Sequence, residues 1–158
     1  MDKYLLITFV KCPLLHKLKT VLDTKISYDI LNIPEKIDSK KRLLKQKFLD
    51  YLGLIISGSC KFSLENKKNC KKGFVCKIIN KVKTLYKFFN DRPILGICYG
   101  MELLALLNGA KIIKIFKKNK KNYGFVPIRI NSDKIFNGIK DDNFFHSHRK
   151  MVDFSTLT

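Results

Sequence analysis

Residues Gly96-Ile97-Cys98-Tyr99-Gly100 place one cysteine between two glycines. An apolar run, Pro93 to Ile97, precedes them, and a helix-forming stretch, Met101-Glu102-Leu103-Leu104-Ala105, follows directly. A strand that turns sharply into a helix with the nucleophile at its apex is a nucleophile elbow, here with cysteine in the place of serine. The chemistry such a unit can do is covalent attack on a carbonyl carbon. Glycines on both sides make room for a crowded turn. The sulfur would lie over a helix N-terminus, where the dipole and free N–H groups favour a thiolate. The N–H of Tyr99 would point to where an oxyanion develops. A base is also required, and the chain has three histidines to offer: His16, His146 and His148.

The run from Pro93 to Ala105, continued by Leu106-Leu107-Asn108-Gly109-Ala110, resembles the nucleophile elbow of class I (triad-type) glutamine amidotransferases. Within that family it is most similar to the glutaminase domain or subunit of GMP synthase. Further segments resemble the family in the same order. Leu54-Ile55-Ile56-Ser57-Gly58-Ser59 is similar to its strand ending in Ser-Gly-Gly-Pro, whose turn donates a second oxyanion N–H. Tyr123-Gly124, Ile135-Phe136-Asn137-Gly138-Ile139 and Phe144 to Val152 resemble later segments, with Ser147-His148 on the family's Ser-His.

The resemblance implies that Cys98 is the nucleophile, with the N–H groups of Tyr99 and Ser59 as oxyanion donors. It places Gly58, residue 102, Ser147 and His148 around the glutamine. It further implies ammonia delivery to a separate synthetase (ATP-pyrophosphatase) subunit, as in GMP synthesis from XMP, with ATP and Mg belonging to that partner and no cofactor in this domain.

Four departures qualify the expectation. Ser59 stands where a second glycine is usual; the donor is a main-chain group, so it is kept provided serine can adopt the backbone angles glycine supplied. Glu102 replaces a glutamine; a carboxylate cannot donate an amide's hydrogen bonds, and beside Cys98 it would raise the thiol pKa. Lys150 replaces an aspartate linked to communication with the synthetase. No His-x-Glu, the family's base and its orienting acid, occurs in the chain. The expectation is therefore a C-terminally truncated domain that hydrolyses glutamine slowly if at all, with His148 as a surrogate base. Two alternatives stand beside it: a catalytically inactive, partner-binding relative, and a basic nucleic-acid-binding protein.

These residues need a scaffold, and the apolar pattern supplies one. Strands are expected at Tyr4–Val10, Ser27–Ile33, Leu52–Ser57 and Pro93–Ile97. Helices are expected at Pro13–Val21, 35–50, Lys72–Asn90 and after Cys98. Strands alternating with helices imply an α/β fold: a mainly parallel, doubly wound sheet with helices on both faces and the site at the strands' carboxyl ends. Cys98 should then lie near the sheet centre. Beyond Gly109, Lys111–Phe116, Gly124–Ile130 and Asn143–Ser147 read as short strands joined by turns.

At 158 residues the chain is expected to form a single domain over 1–158. No apolar run approaches a membrane span, and no signal peptide opens the chain, so a cytoplasmic location is expected. Five cysteines without C-x-x-C spacing argue against a disulfide framework and a zinc site. The net charge of +19 is almost all lysine; the only arginines are Arg42, Arg92, Arg129 and Arg149. Base-reading surfaces lean on arginine, whereas lysine, isoleucine and asparagine inflated together match an AT-rich coding sequence. Nucleic acid is therefore not the expected partner.

Overall fold

The computed structural model describes residues 3–9, 13–33, 48–59, 74–114, 122–128, 142–148 and 150–156. The expected helix over 35–50 lies outside them up to residue 47, as do the Ile135–Ile139 segment and Lys117–Lys121. In chain order the elements are β1 (Lys3–Thr8), α1 (Pro13–Asp23), β2 (Tyr28–Asn32), β3 (Tyr51–Ile56), α2 (Phe74–Phe88), β4 (Ile94–Gly96), α3 (Tyr99–Leu107), β5 (Lys111–Lys114), β6 (Asn122–Ile128), β7 (Asp142–His148) and β8 (Lys150–Asp153), with a closing 3-10 turn at Phe154–Thr156.

The two most continuous apolar runs become the inner strands. β1 and β3 are buried along most of their length, as strands covered on both faces must be. The sheet is four-stranded and parallel, in the order β2-β1-β3-β4. One face carries Leu5 and Ile7 of β1 and Leu54 and Ile56 of β3, all at most 2 % exposed. Against them pack Ile78, Val82 and Leu85 of α2, at the three-to-four spacing of one helical stripe, followed by Phe89. Tyr99, Leu103 and Leu106 of α3 complete that core.

The α/β class, the parallel sheet and the short strands after Gly109 agree with the sequence reading; the place of Cys98 and the strand β8 do not. Among the described strands β4 stands at the end of the sheet, so Cys98 lies beyond an outer strand rather than near the centre. The later strands stand apart from the parallel sheet in two antiparallel pairs, β5 with β8 and β6 with β7. β8 carries only Met151 and Val152 between charged residues, too short a run to show periodicity, yet Val152 is buried opposite Ile112. The expectation against disulfides is also corrected, because Cys76 of α2 is disulfide-bonded. Sequence spacing detects only local cysteine motifs, whereas a cross-link needs only nearby Cα atoms in the folded chain.

Arg92 ties the lead-in of β4 to two other segments. Its Nη1 donates to the Phe48 and Tyr51 carbonyls at 2.6 and 2.8 Å, and its Nη2 donates to the Phe88 carbonyl. The guanidinium also lies 4.2 Å from the centroid of the Phe89 ring. A lysine cannot reproduce this fork and stack together. Arg92→Lys should lower stability by about 1–3 kcal/mol, read as a shifted urea midpoint at unchanged slope.

Candidate active site

Strand β4 delivers the chain to Ile97, whose N–H donates to the Ile56 carbonyl at 2.9 Å, extending the β3–β4 pairing by one residue. The backbone then reverses. Cys98 has φ 54° and ψ −111°, and among the described residues it is the one non-glycine with positive φ. That conformation costs a residue with a Cβ on the order of 1–3 kcal/mol, so the surroundings must hold it. The hold comes from α3, for which Cys98 is the N-cap. Gly100 N–H donates to the Ile97 carbonyl at 2.9 Å and Glu102 N–H to the Cys98 carbonyl at 3.1 Å.

Both flanking glycines are demanded by close approach. A Cβ on Gly100 would come 2.1 Å from the Ile56 carbonyl oxygen, and one on Gly96 would come 2.7 Å from the Met101 nitrogen. The first turn of α3 therefore rests directly on the end of β3. Tyr99 anchors it from the other side: its ring is buried and meets Phe9, just past β1, edge-on at 5.1 Å. With its ring in the core, Tyr99 aims its N–H at the sulfur of Cys98.

The opposite wall is the turn after β3. A Cβ on Gly58 would lie 3.3 Å from Cys98 Cβ and 3.8 Å from its sulfur, so this turn comes close to Cys98 with room for no more than a small side chain between them. Ser57 N–H donates to the Ile7 carbonyl at 3.0 Å, which fixes where the turn begins. Ser59 is half-buried beside it and does not have positive φ, so a serine carries no left-handed strain there.

Electrostatics at the sulfur run opposite to the helix-dipole expectation. Cys98 is exposed as a residue, yet enough protein surrounds its sulfur that desolvation pushes the thiol pKa up. The Tyr99 N–H pulls it down and the Glu102 carboxylate pushes it up again, for a net rise. The expected influence of Glu102 is thus present, but burial outweighs it. Burial also raises the Glu102 pKa itself, opposed by the positive charge of Lys150 on β8. Lys150 stands out in the sequence only as a substitution; its role as countercharge to Glu102 depends on β8 packing on α3, which no local pattern foretells.

The remaining expected residues are not brought to the sulfur by any described contact. Ser147 and His148 end β7, paired with Tyr123 and Asn122 of β6, and their side chains lie outside the described structure. His16 is exposed on α1. Among the described residues no group of three or more His, Cys, Asp or Glu side chains converges as a metal site, and no helix is long and apolar enough to cross a membrane.

A parallel α/β sheet that presents a strained cysteine at a strand-to-helix elbow defines a class of proteins built for a nucleophile at that apex. The chain belongs to the glutamine amidotransferase class-I family, whose family model matches residues 15–158. Its relatives include the GMP synthase [glutamine-hydrolyzing] of Chlamydia caviae, 33 % identical over 73 residues, which are 46 % of this chain and 14 % of that protein. The same enzyme of Elusimicrobium minutum is 46 % identical over 43 residues, covering 27 % of this chain and 8 % of that protein. The chain thus matches only a small part of the curated relatives' length. Among solved structures, a Thermoplasma acidophilum protein provisionally assigned as one of the subunits of GMP synthase superposes with TM-score 0.65 at 20 % identity. The superposition covers 98 % of this chain and 68 % of that one. A glutamine amidotransferase of Thermotoga maritima superposes with TM-score 0.63, also at 20 % identity, covering 96 % and 62 %. At that identity the likeness is one of fold.

Two outcomes follow for the elbow. Gly100→Ala drives a methyl into the Ile56 carbonyl and should cost about 3 kcal/mol or more, measured by chemical denaturation. Alkylation of Cys98 by iodoacetamide should keep accelerating with pH beyond the unperturbed thiol value of about 8.5, because a raised pKa leaves little thiolate at neutrality.

Proposed function

We propose that this chain is a glutaminase component: Cys98 attacks the side-chain amide of glutamine, and the released ammonia passes to a synthetase that makes GMP from XMP. The observation that carries the reading is the elbow itself. Cys98 is held at φ 54° with the Tyr99 N–H at its sulfur, in a chain of the amidotransferase family. In the reaction the sulfur bonds to the amide carbon, and the carbonyl electron pair becomes an oxyanion facing the N–H groups of Tyr99 and Ser59. Collapse breaks the carbon–nitrogen bond and leaves a glutamyl thioester. Water then cleaves the thioester to glutamate and frees the thiol.

The residues assigned to the glutamine, Gly58, Glu102, Ser147 and His148, come from the family pattern, and the close approach of Gly58 to Cys98 supports the place of the first. ATP and Mg belong to the synthetase in this reading, and the cytoplasm is where these partners meet. A second reading, an inactive partner-binding relative, is favoured by one observation: burial and Glu102 together raise the thiol pKa. The nucleic-acid alternative rests on the net charge of +19 alone, and salt-dependent binding to DNA or RNA would revive it.

A glutamine analogue carrying an electrophilic carbon should label Cys98 in the mass spectrum, with glutamine protecting it. Cys98→Ser should lose at least about 10³-fold in glutamine hydrolysis, since the nucleophile acts in every step. Labelling that glutamine does not slow would favour the inactive reading.

A further inference from the structure

Beyond Ile56 the chain leaves β3 through Ser57, Gly58 and Ser59. Ser57 still belongs to the ladder, since its N–H donates to the Ile7 carbonyl at 3.0 Å. Strand alternation therefore continues through it. Ile56 faces the core with Tyr99 and Leu103 of α3, and the Ser57 side chain lies on the other face of the sheet. That side chain is 2 % exposed, and a buried hydroxyl needs a partner. It finds one in the next residue: Ser57 Oγ donates to the Gly58 carbonyl at 3.1 Å.

This bond orients more than a carbonyl. The Gly58–Ser59 peptide is trans, so its C=O and N–H point in opposite directions. With the carbonyl drawn to the Ser57 side, the Ser59 N–H turns to the face on which α3 begins at Cys98. The turn is already close to that residue, a Cβ on Gly58 falling 3.8 Å from its sulfur. Ser59 itself adds a second restraint. Its φ is not positive, and turning the peptide over would carry it into the positive range, which a residue with a Cβ resists and glycine does not.

We propose that the Ser57 hydroxyl and the Ser59 Cβ together lock the Gly58–Ser59 peptide in one orientation, its N–H set toward Cys98 before glutamine arrives. The inference rests on the thioester reading above. There the carbonyl oxygen of glutamine gains charge as sulfur bonds to the amide carbon, and a donor that need not reorient at that moment stabilises it most. Ser57 is a positioning residue: it makes no bond to the substrate and acts through the peptide next to it. The serine at position 59 then has a physical consequence, because it removes a freedom that glycine would leave at this peptide.

The test measures kcat and KM for glutamine hydrolysis in the full chain with Ser57→Ala, Ser59→Gly and the two together, alongside iodoacetamide alkylation of Cys98. Alkylation attacks a saturated carbon and develops no oxyanion, so it reports only that the elbow is intact. Ser57→Ala should lower kcat about 10-fold and leave KM near that of the parent, the mark of an interaction made in the transition state. In the Ser59→Gly background the second restraint is gone, and Ser57→Ala should there lower kcat about 10²-fold, as for one missing oxyanion donor. Alkylation of Cys98 in Ser57→Ala should match the parent. An unchanged kcat in Ser57→Ala would overturn the inference, and so would the same factor of loss in both backgrounds. Alkylation that falls together with kcat would overturn it too, making Ser57 a support of the elbow itself. A parent chain that iodoacetamide alkylates at Cys98 but that never hydrolyses glutamine would instead remove the thioester reading, and this inference with it.

Discussion

The contact between Gly100 and the Ile56 carbonyl is the constraint on which the site depends. It allows the first turn of α3 to sit on the end of β3 with no side chain between them. That distance fixes where Cys98 lies relative to the turn at Gly58, which approaches from the same strand. The Ile97 N–H on the Ile56 carbonyl and the buried Tyr99 ring against Phe9 hold the same geometry from two other directions. Strand β3 therefore serves both walls: its last carbonyl seats the elbow, and its outgoing turn faces the sulfur.

The electrostatics follow from that packing. Drawing the elbow against the sheet buries the sulfur enough to penalise its charge, and only one backbone donor compensates. Desolvation and a neighbouring carboxylate both oppose the pull of the helix N-terminus on the thiol. Glu102 is subject to the same penalty, relieved by Lys150. The site thus holds two acidic groups on one turn of chain, both pushed above their ordinary pKa by burial.

Much of this was legible from residue types. The alternation of apolar runs and helical stripes announces a parallel α/β sheet, and Gly-x-Cys-x-Gly between a strand and a helix announces the elbow, because both signals are local. Four things were not legible. The place of β4 at the end of the described sheet depends on strand order, which hydrophobic pattern does not encode. β8 is recognisable only through its pairing with β5, since two apolar residues between charges look like a turn. The Cys76 disulfide joins residues by proximity in space. The net shift of the Cys98 thiol was likewise out of reach: the sequence displays the dipole and the carboxylate, but not the burial that outweighs them.

The left-handed backbone at Cys98 bears on how such a chain can change over generations. Every residue except glycine is strained there, so the backbone is relieved only when glycine takes the cysteine's place. A lineage released from any need for sulfur at the apex would find Cys98→Gly a downhill step, open to ordinary drift. The position works as a one-way door: stability pushes outward through it, and only a use for the thiol holds it shut.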